Sequence, residues 1–201
     1  MRLFIGIDIP SDLRERLVEF VARCRQSAPT IRFVDPEGYH ITLKFLGETT
    51  SFERLRTELA KIRHPRFTID LRGAGFFPNA SRPRIFWAGI HALPKDALAQ
   101  LALKIDEACA PVGFAKEDKP FRPHLTLARS GSGSPHQKSP ARTTPMAQLA
   151  RFASELEPHF GTITATEFHI YESRLHPKGA VYTKIATFAL ASPDAEGRES
   201  A

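Results

Sequence analysis

Apolar residues along the chain fall into short runs with two different periods. Residues 2–9, RLFIGIDI, alternate in the manner of a β-strand. The pattern then changes. Leu13, Leu17, Val18, Val21 and Ala22 recur at the spacing of one helix face, with Ser11 as the expected N-cap of a helix over 12–25. A short strand is expected at 31–34, a turn at Pro36 and Gly38, and a strand at 40–46, HITLKFL, ended by Gly47. A second amphipathic helix is predicted over 52–62. Strands are predicted over 67–77 and 84–91, separated by the turn PNASRP, and Pro94 leads into a third helix over 95–108. A strand follows at 124–128. Residues 130–145, SGSGSPHQKSPARTTP, show no periodicity and read as a flexible loop. A fourth helix over 146–157, strands over 162–172 and 181–190, and a disordered tail over 191–201 complete the chain.

Strands and helices mix throughout, and several strands are joined by short turns. This predicts an α+β fold with antiparallel or mixed sheets, not a doubly wound parallel sheet. Residues 1–190 are expected to form one domain.

Composition narrows the class. The chain has 201 residues, 42% hydrophobic and 25% charged, which is ordinary for a soluble globular domain. No apolar run approaches the roughly 18 residues of a membrane span. The first apolar run is short and interrupted by Asp8, so it is a strand rather than a secretion signal. Cys24 and Cys109, the only cysteines, sit in helical patterns without metal-ligand or redox spacing, as expected for free thiols in a cytoplasmic protein. A net charge of +6 favours an anionic partner such as phosphate or nucleic acid.

One tetrapeptide pattern occurs twice. His40-Ile41-Thr42-Leu43 recurs as His124-Leu125-Thr126-Leu127, both on strand patterns and both after a proline-containing turn. On a strand, residues i and i+2 share a face, so each histidine lies beside its threonine while the aliphatics anchor the other face. Repetition suggests pseudo-twofold lobes with both polar faces lining a common cleft. Two imidazoles, with an ordinary pKa near 6.5, suit a general acid and a general base at neutral pH. Threonine hydroxyls can donate to non-bridging phosphate oxygens. A 2',3'-cyclic phosphate suits this machinery, because its ring is strained and its leaving oxygen stays tethered. Neither histidine has ligand-spaced His, Cys or carboxylate neighbours, so no metal and no other cofactor is expected.

Strict alternation turns Arg129 away from His124 and Thr126. It reaches the phosphate only if the strand ends or bulges near Ala128, which the adjacent SGSG favours. The same rule places Lys44 on the His40 face, where it would add positive potential, and turns Phe45 toward the core. Tyr182, on a late strand, is a candidate for stacking a base.

The pair HITLKFLG (40–47) and FRPHLTLAR (121–129) resembles the two HxTx motifs of the 2H phosphoesterase superfamily. Within it, residues 1–190 resemble the bacterial and archaeal RNA 2',3'-cyclic phosphodiesterases, also called 2'-5' RNA ligases. That resemblance implies a bilobal fold: two pseudo-twofold lobes with sheets around a central cleft and helices outside. It implies metal-free hydrolysis of RNA 2',3'-cyclic phosphate ends to 2'-phosphomonoesters. By position in the motif, His40 resembles the proton donor, His124 the acceptor, and Thr42 and Thr126 the phosphate-binding hydroxyls, while Arg129 resembles an arginine that often follows the second motif. The sequence itself is symmetric between the two histidines. Ligation of RNA halves through a 2'-5' bond uses the same residues in reverse, and an RNA-end-binding module without turnover is the third reading. A monomer is expected, since two lobes of one chain form the cleft.

Overall fold

In a computed structural model, residues 1–130, 144–176 and 179–192 are described. The expected loop at 130–145 and the expected tail at 191–201 fall mostly outside them. The elements run β1 (Arg2–Asp8), α1 (Ser11–Ser27), β2 (His40–Glu48), α2 (Phe52–Leu59), β3 (Phe67–Phe77), β4 (Ile85–Leu93), α3 (Ala97–Cys109), β5 (His124–Arg129), α4 (Pro145–Ser154), β6 (His159–Ala165), β7 (Glu167–His176) and β8 (Gly179–Ala189).

The strands form two four-stranded sheets, ordered β2-β1-β7-β8 and β5-β4-β3-β6, with antiparallel pairing throughout. Each sheet carries one His-x-Thr strand at its edge, beside a strand that is followed by a helix. The chain runs β1–α1–β2 in one lobe and β4–α3–β5 in the other. The lobes are not contiguous halves of the sequence. The second sheet is built from the middle of the chain, and β7 and β8 return to complete the first.

The two lobes are locked by exchange of helices. α1 follows β1 of the first sheet, yet it packs against α4 and β6, and the Arg16 guanidinium donates to the Phe160 carbonyl at 2.9 Å. α3 follows β4 of the second sheet and packs against α2 and β2. The apolar face of α1 (Leu13, Leu17, Phe20, Val21, Cys24) and that of α3 (Leu98, Leu101, Ala102, Ile105, Cys109) enter one continuous core. That shared core joins the two sheets on either side of the cleft.

Several expectations are corrected. The run 162–172 is two strands, not one: it turns a corner at Thr166, so β6 lies in one sheet and β7 in the other. The strand expected at 31–34 reduces to a single bridge between Phe33 and Ala128. Ser11 is the first helical residue rather than the cap. Pro10 occupies that position, without a side-chain acceptor. The cap of α4 is formed by Thr144, whose hydroxyl accepts from the Ala147 amide at 3.2 Å. Among the described residues, no helix is long and apolar enough to cross a membrane.

Candidate active site

Both motifs depart from strict alternation at the same place. In β2, Gly6 of β1 faces Thr42 and Ile5 faces Lys44, so Leu43 is an extra residue. In β5, Trp87 of β4 faces Thr126 and Phe86 faces Ala128, so Leu127 is the extra residue. The last residue of each motif is therefore a β-bulge that inverts the facing of the residues after it, until in β2 a second extra residue, Leu46, restores it before Gly47. Leu43 and Lys44 are both buried, as are Leu127 and Ala128.

Three expectations resolve at once. Arg129 emerges on the Thr126 side, with a guanidinium nitrogen 3.4 Å from Thr126 Oγ1. Lys44 leaves the histidine face. It is 3% exposed, and its ammonium donates to Asp106 Oδ1 at 2.6 Å and to the Ala115 carbonyl at 2.9 Å. Phe45, expected in the core, is instead 63% exposed and borders the cleft.

The cleft holds a cavity of about 420 Å³, lined by His40, Thr42 and Phe45 of the first lobe and Thr126 and Arg129 of the second. That volume lies in the range of small-ligand sites. His124 does not itself line the cavity. It precedes Thr126 by two residues on the same strand face. Gly6 lets the motif strand come close, since a Cβ there would meet the Ile41 carbonyl at 2.8 Å.

The two imidazoles are held in the same way. His40 Nδ1 lies 2.8 Å from the Gly38 carbonyl and His124 Nδ1 2.7 Å from the Arg122 carbonyl. A carbonyl only accepts, so Nδ1 carries the hydrogen in both rings. Nε2 is then the nitrogen whose proton can come and go. Aromatic side chains fix the ring planes. His40 lies 4.5 Å from the Phe4 ring and meets Tyr182 edge-on at 5.1 Å, while His124 meets Phe77 edge-on at 5.0 Å. Tyr182 lines the cavity, and its ring packs at nearly a right angle to His40. Phe4 and Phe77 were missed by sequence reasoning. The sequence carried no signal for Phe4, because its place beside His40 depends on the pairing of β1 with β2.

Burial pulls the His40 imidazole down to about 4. The Gly38 carbonyl opposes this, Arg129 adds to it, Asp8 opposes it, and His124 lowers it further. His124 is also lowered, first by burial and then by Arg129, against the Arg122 carbonyl. Without ligand, both rings are therefore neutral at pH 7. A cluster of one guanidinium, two hydroxyls and two neutral imidazoles is a receptor for an anion that brings its own charge. Among the described residues, no group of three or more His, Cys, Asp or Glu side chains is placed to hold a metal ion.

The pattern of the family described as LigT-like phosphoesterase matches residues 7–87 and 91–182, one motif in each stretch. The chain is 35% identical over 210 residues to an RNA 2',3'-cyclic phosphodiesterase of Thermus thermophilus, covering 100% of this chain and 95% of the relative. It is 32% identical over 193 residues to one of Escherichia coli, covering 94% and 96%, and 31% identical over 191 residues to one of Archaeoglobus fulgidus, covering 94% and 99%. A crystal structure of E. coli LigT complexed with 3'-AMP is similar in fold, with a TM-score of 0.73 at 30% identity, covering 94% of this chain and 98% of that one.

Proposed function

This chain belongs to the LigT-like phosphoesterase family, and on that footing we propose that His40 and His124 are the acid–base pair by which it opens a cyclic phosphate. The activity is that of an RNA 2',3'-cyclic phosphodiesterase, a hydrolase. Its ligands are nucleotides or RNA. The observation that carries the residue assignment is the duplicated arrangement: each histidine has Nδ1 pinned by the carbonyl two residues before it and a threonine beside it facing the cleft.

The cyclic phosphate sits between Thr42 and Thr126, with Arg129 against its charge. His124 Nε2 takes a proton from water as the water oxygen attacks phosphorus. The bond from phosphorus to the ribose 3'-oxygen breaks, and His40 gives its Nε2 proton to that oxygen. A 2'-phosphomonoester remains, and the two rings have exchanged protonation states. Each proton transfer contributes on the order of 10²–10⁴-fold. The protein acts as a monomer in the cytoplasm and needs no metal.

The test is incubation with an RNA oligonucleotide ending in a 2',3'-cyclic phosphate, with and without EDTA, followed by ³¹P NMR of the product. A 2'-monoester formed at equal rates in both samples is expected. A 3'-monoester, or loss of activity in EDTA, would overturn the mechanism.

A further inference from the structure

The cleft continues beyond the phosphate-holding end. Along β1, Gly6 faces Thr42, Phe4 faces Phe45 and Arg2 faces Glu48. Arg2 and Phe4 share a strand face, and both line the same cavity as Thr42 and Arg129. Arg2 is exposed, and no carboxylate among the described residues pairs with it. Among the described residues, Arg129 likewise pairs with no carboxylate, and its guanidinium lies 3.4 Å from the Thr126 hydroxyl. The cavity lining thus holds two cations, one from each lobe. Along β2 the exposed Phe45 falls between Thr42, which faces Gly6, and Glu48, which faces Arg2, and Leu175, 81% exposed, borders the same space.

Two cations separated by an exposed apolar ring match a nucleotide held at both of its phosphates. Four residues of antiparallel strand, from Gly6 to Arg2, span roughly 13 Å. That interval is the step between adjacent phosphates of a nucleotide chain plus the length of an arginine side chain. An exposed aromatic ring between phosphate contacts is the usual platform for a base, because every base offers a π-face.

We propose that Arg2 binds the phosphate on the 5'-oxygen of the terminal nucleotide, with its base against Phe45, so that the enzyme selects 5'-phosphorylated or chain-linked ends over free 2',3'-cyclic nucleosides. This rests on the phosphodiesterase reading of the same cavity. The bulge at Leu43 makes it possible, since it turns Phe45 out of the core and onto the face of Phe4 and Arg2.

The experiment compares kcat/KM for three substrates: a 2',3'-cyclic nucleotide with a free 5'-hydroxyl, the same nucleotide carrying a 5'-phosphate, and a dinucleotide ending in the same cyclic phosphate. A charge-assisted contact predicts that the 5'-phosphate alone gives about a tenfold gain, with little more from the second nucleoside. Arg2→Gln should bring that ratio close to one, and Arg2→Lys should keep most of it. The gain should shrink as salt rises. An unchanged ratio in Arg2→Gln would overturn the proposal, as would a gain seen only with the dinucleotide. If the underlying reading fails instead, the wild-type protein opens none of the three substrates.

Discussion

His40 is expected to change its proton affinity when an anion enters the cleft. In the free protein its imidazole is held at about 4, so only about one molecule in a thousand carries the proton at pH 7. A general acid works best with a pKa near the operating pH, about 7. The gap is about 3 pKa units, or about 4 kcal/mol. One negative charge about 4 Å from the ring, at an effective dielectric constant near 20, supplies about 4 kcal/mol. The substrate's own phosphate is thus enough to arm the acid. NMR titration of the imidazole resonances tests this, free and with a nucleoside 2'-sulfate, whose charge is fixed across the range. His40 should titrate near 4 alone and near neutrality in the complex. By reciprocity, affinity for the anion should rise about tenfold per pH unit as pH falls between those values. Stability of the free protein moves in the opposite direction: a histidine whose folded pKa is depressed leaves stability intact above about pH 6.5, and up to about 3 kcal/mol is lost as pH falls to about 4. A free His40 titrating near 6.5, or a bound one that moves by less than a unit, would refute the reasoning.

Other perturbations probe the remaining parts. Arg129→Gln removes a charge that lowers both imidazoles, so both limbs of the kcat/KM profile should move to higher pH; limbs that stay in place would show that the guanidinium does not act on the rings. Thr126→Val should lower kcat by about 10²-fold with a smaller change in KM, the pattern of a contact that strengthens in the transition state. Lys44→Met strands the largely buried Asp106 carboxylate and should destabilise by about 3–5 kcal/mol in chemical denaturation. A loss below about 1 kcal/mol would mean that Asp106 is solvated in the folded state.

Periodicity carried much of the fold. The strand expected at 67–77 has those limits, and both copies of the duplicated motif lie on strands as expected; that these are edge strands follows from the sheet order alone. The 162–172 run reads as one strand because strand-forming residues continue through it, yet its apolar phase shifts from Ile163 and Ala165 to Phe168 and Ile170, and that shift marks the corner at Thr166 between β6 and β7. The histidines and threonines were legible because they precede the bulge. Lys44 and Phe45 were not, because a bulge is set by pairing across the sheet and leaves no mark in the local pattern. Arg129 was legible only as a condition, met at Leu127 rather than at Ala128 itself.

The most direct measurement of the central claim is turnover by His40→Ala and by His124→Ala on a cyclic-phosphate RNA end, each paired with binding of a nucleoside 2'-phosphate. Each variant should lose on the order of 10²–10⁴-fold or more in kcat while keeping the ligand affinity supplied by Thr42, Thr126 and Arg129. Near wild-type turnover by either variant would contradict the two-histidine account.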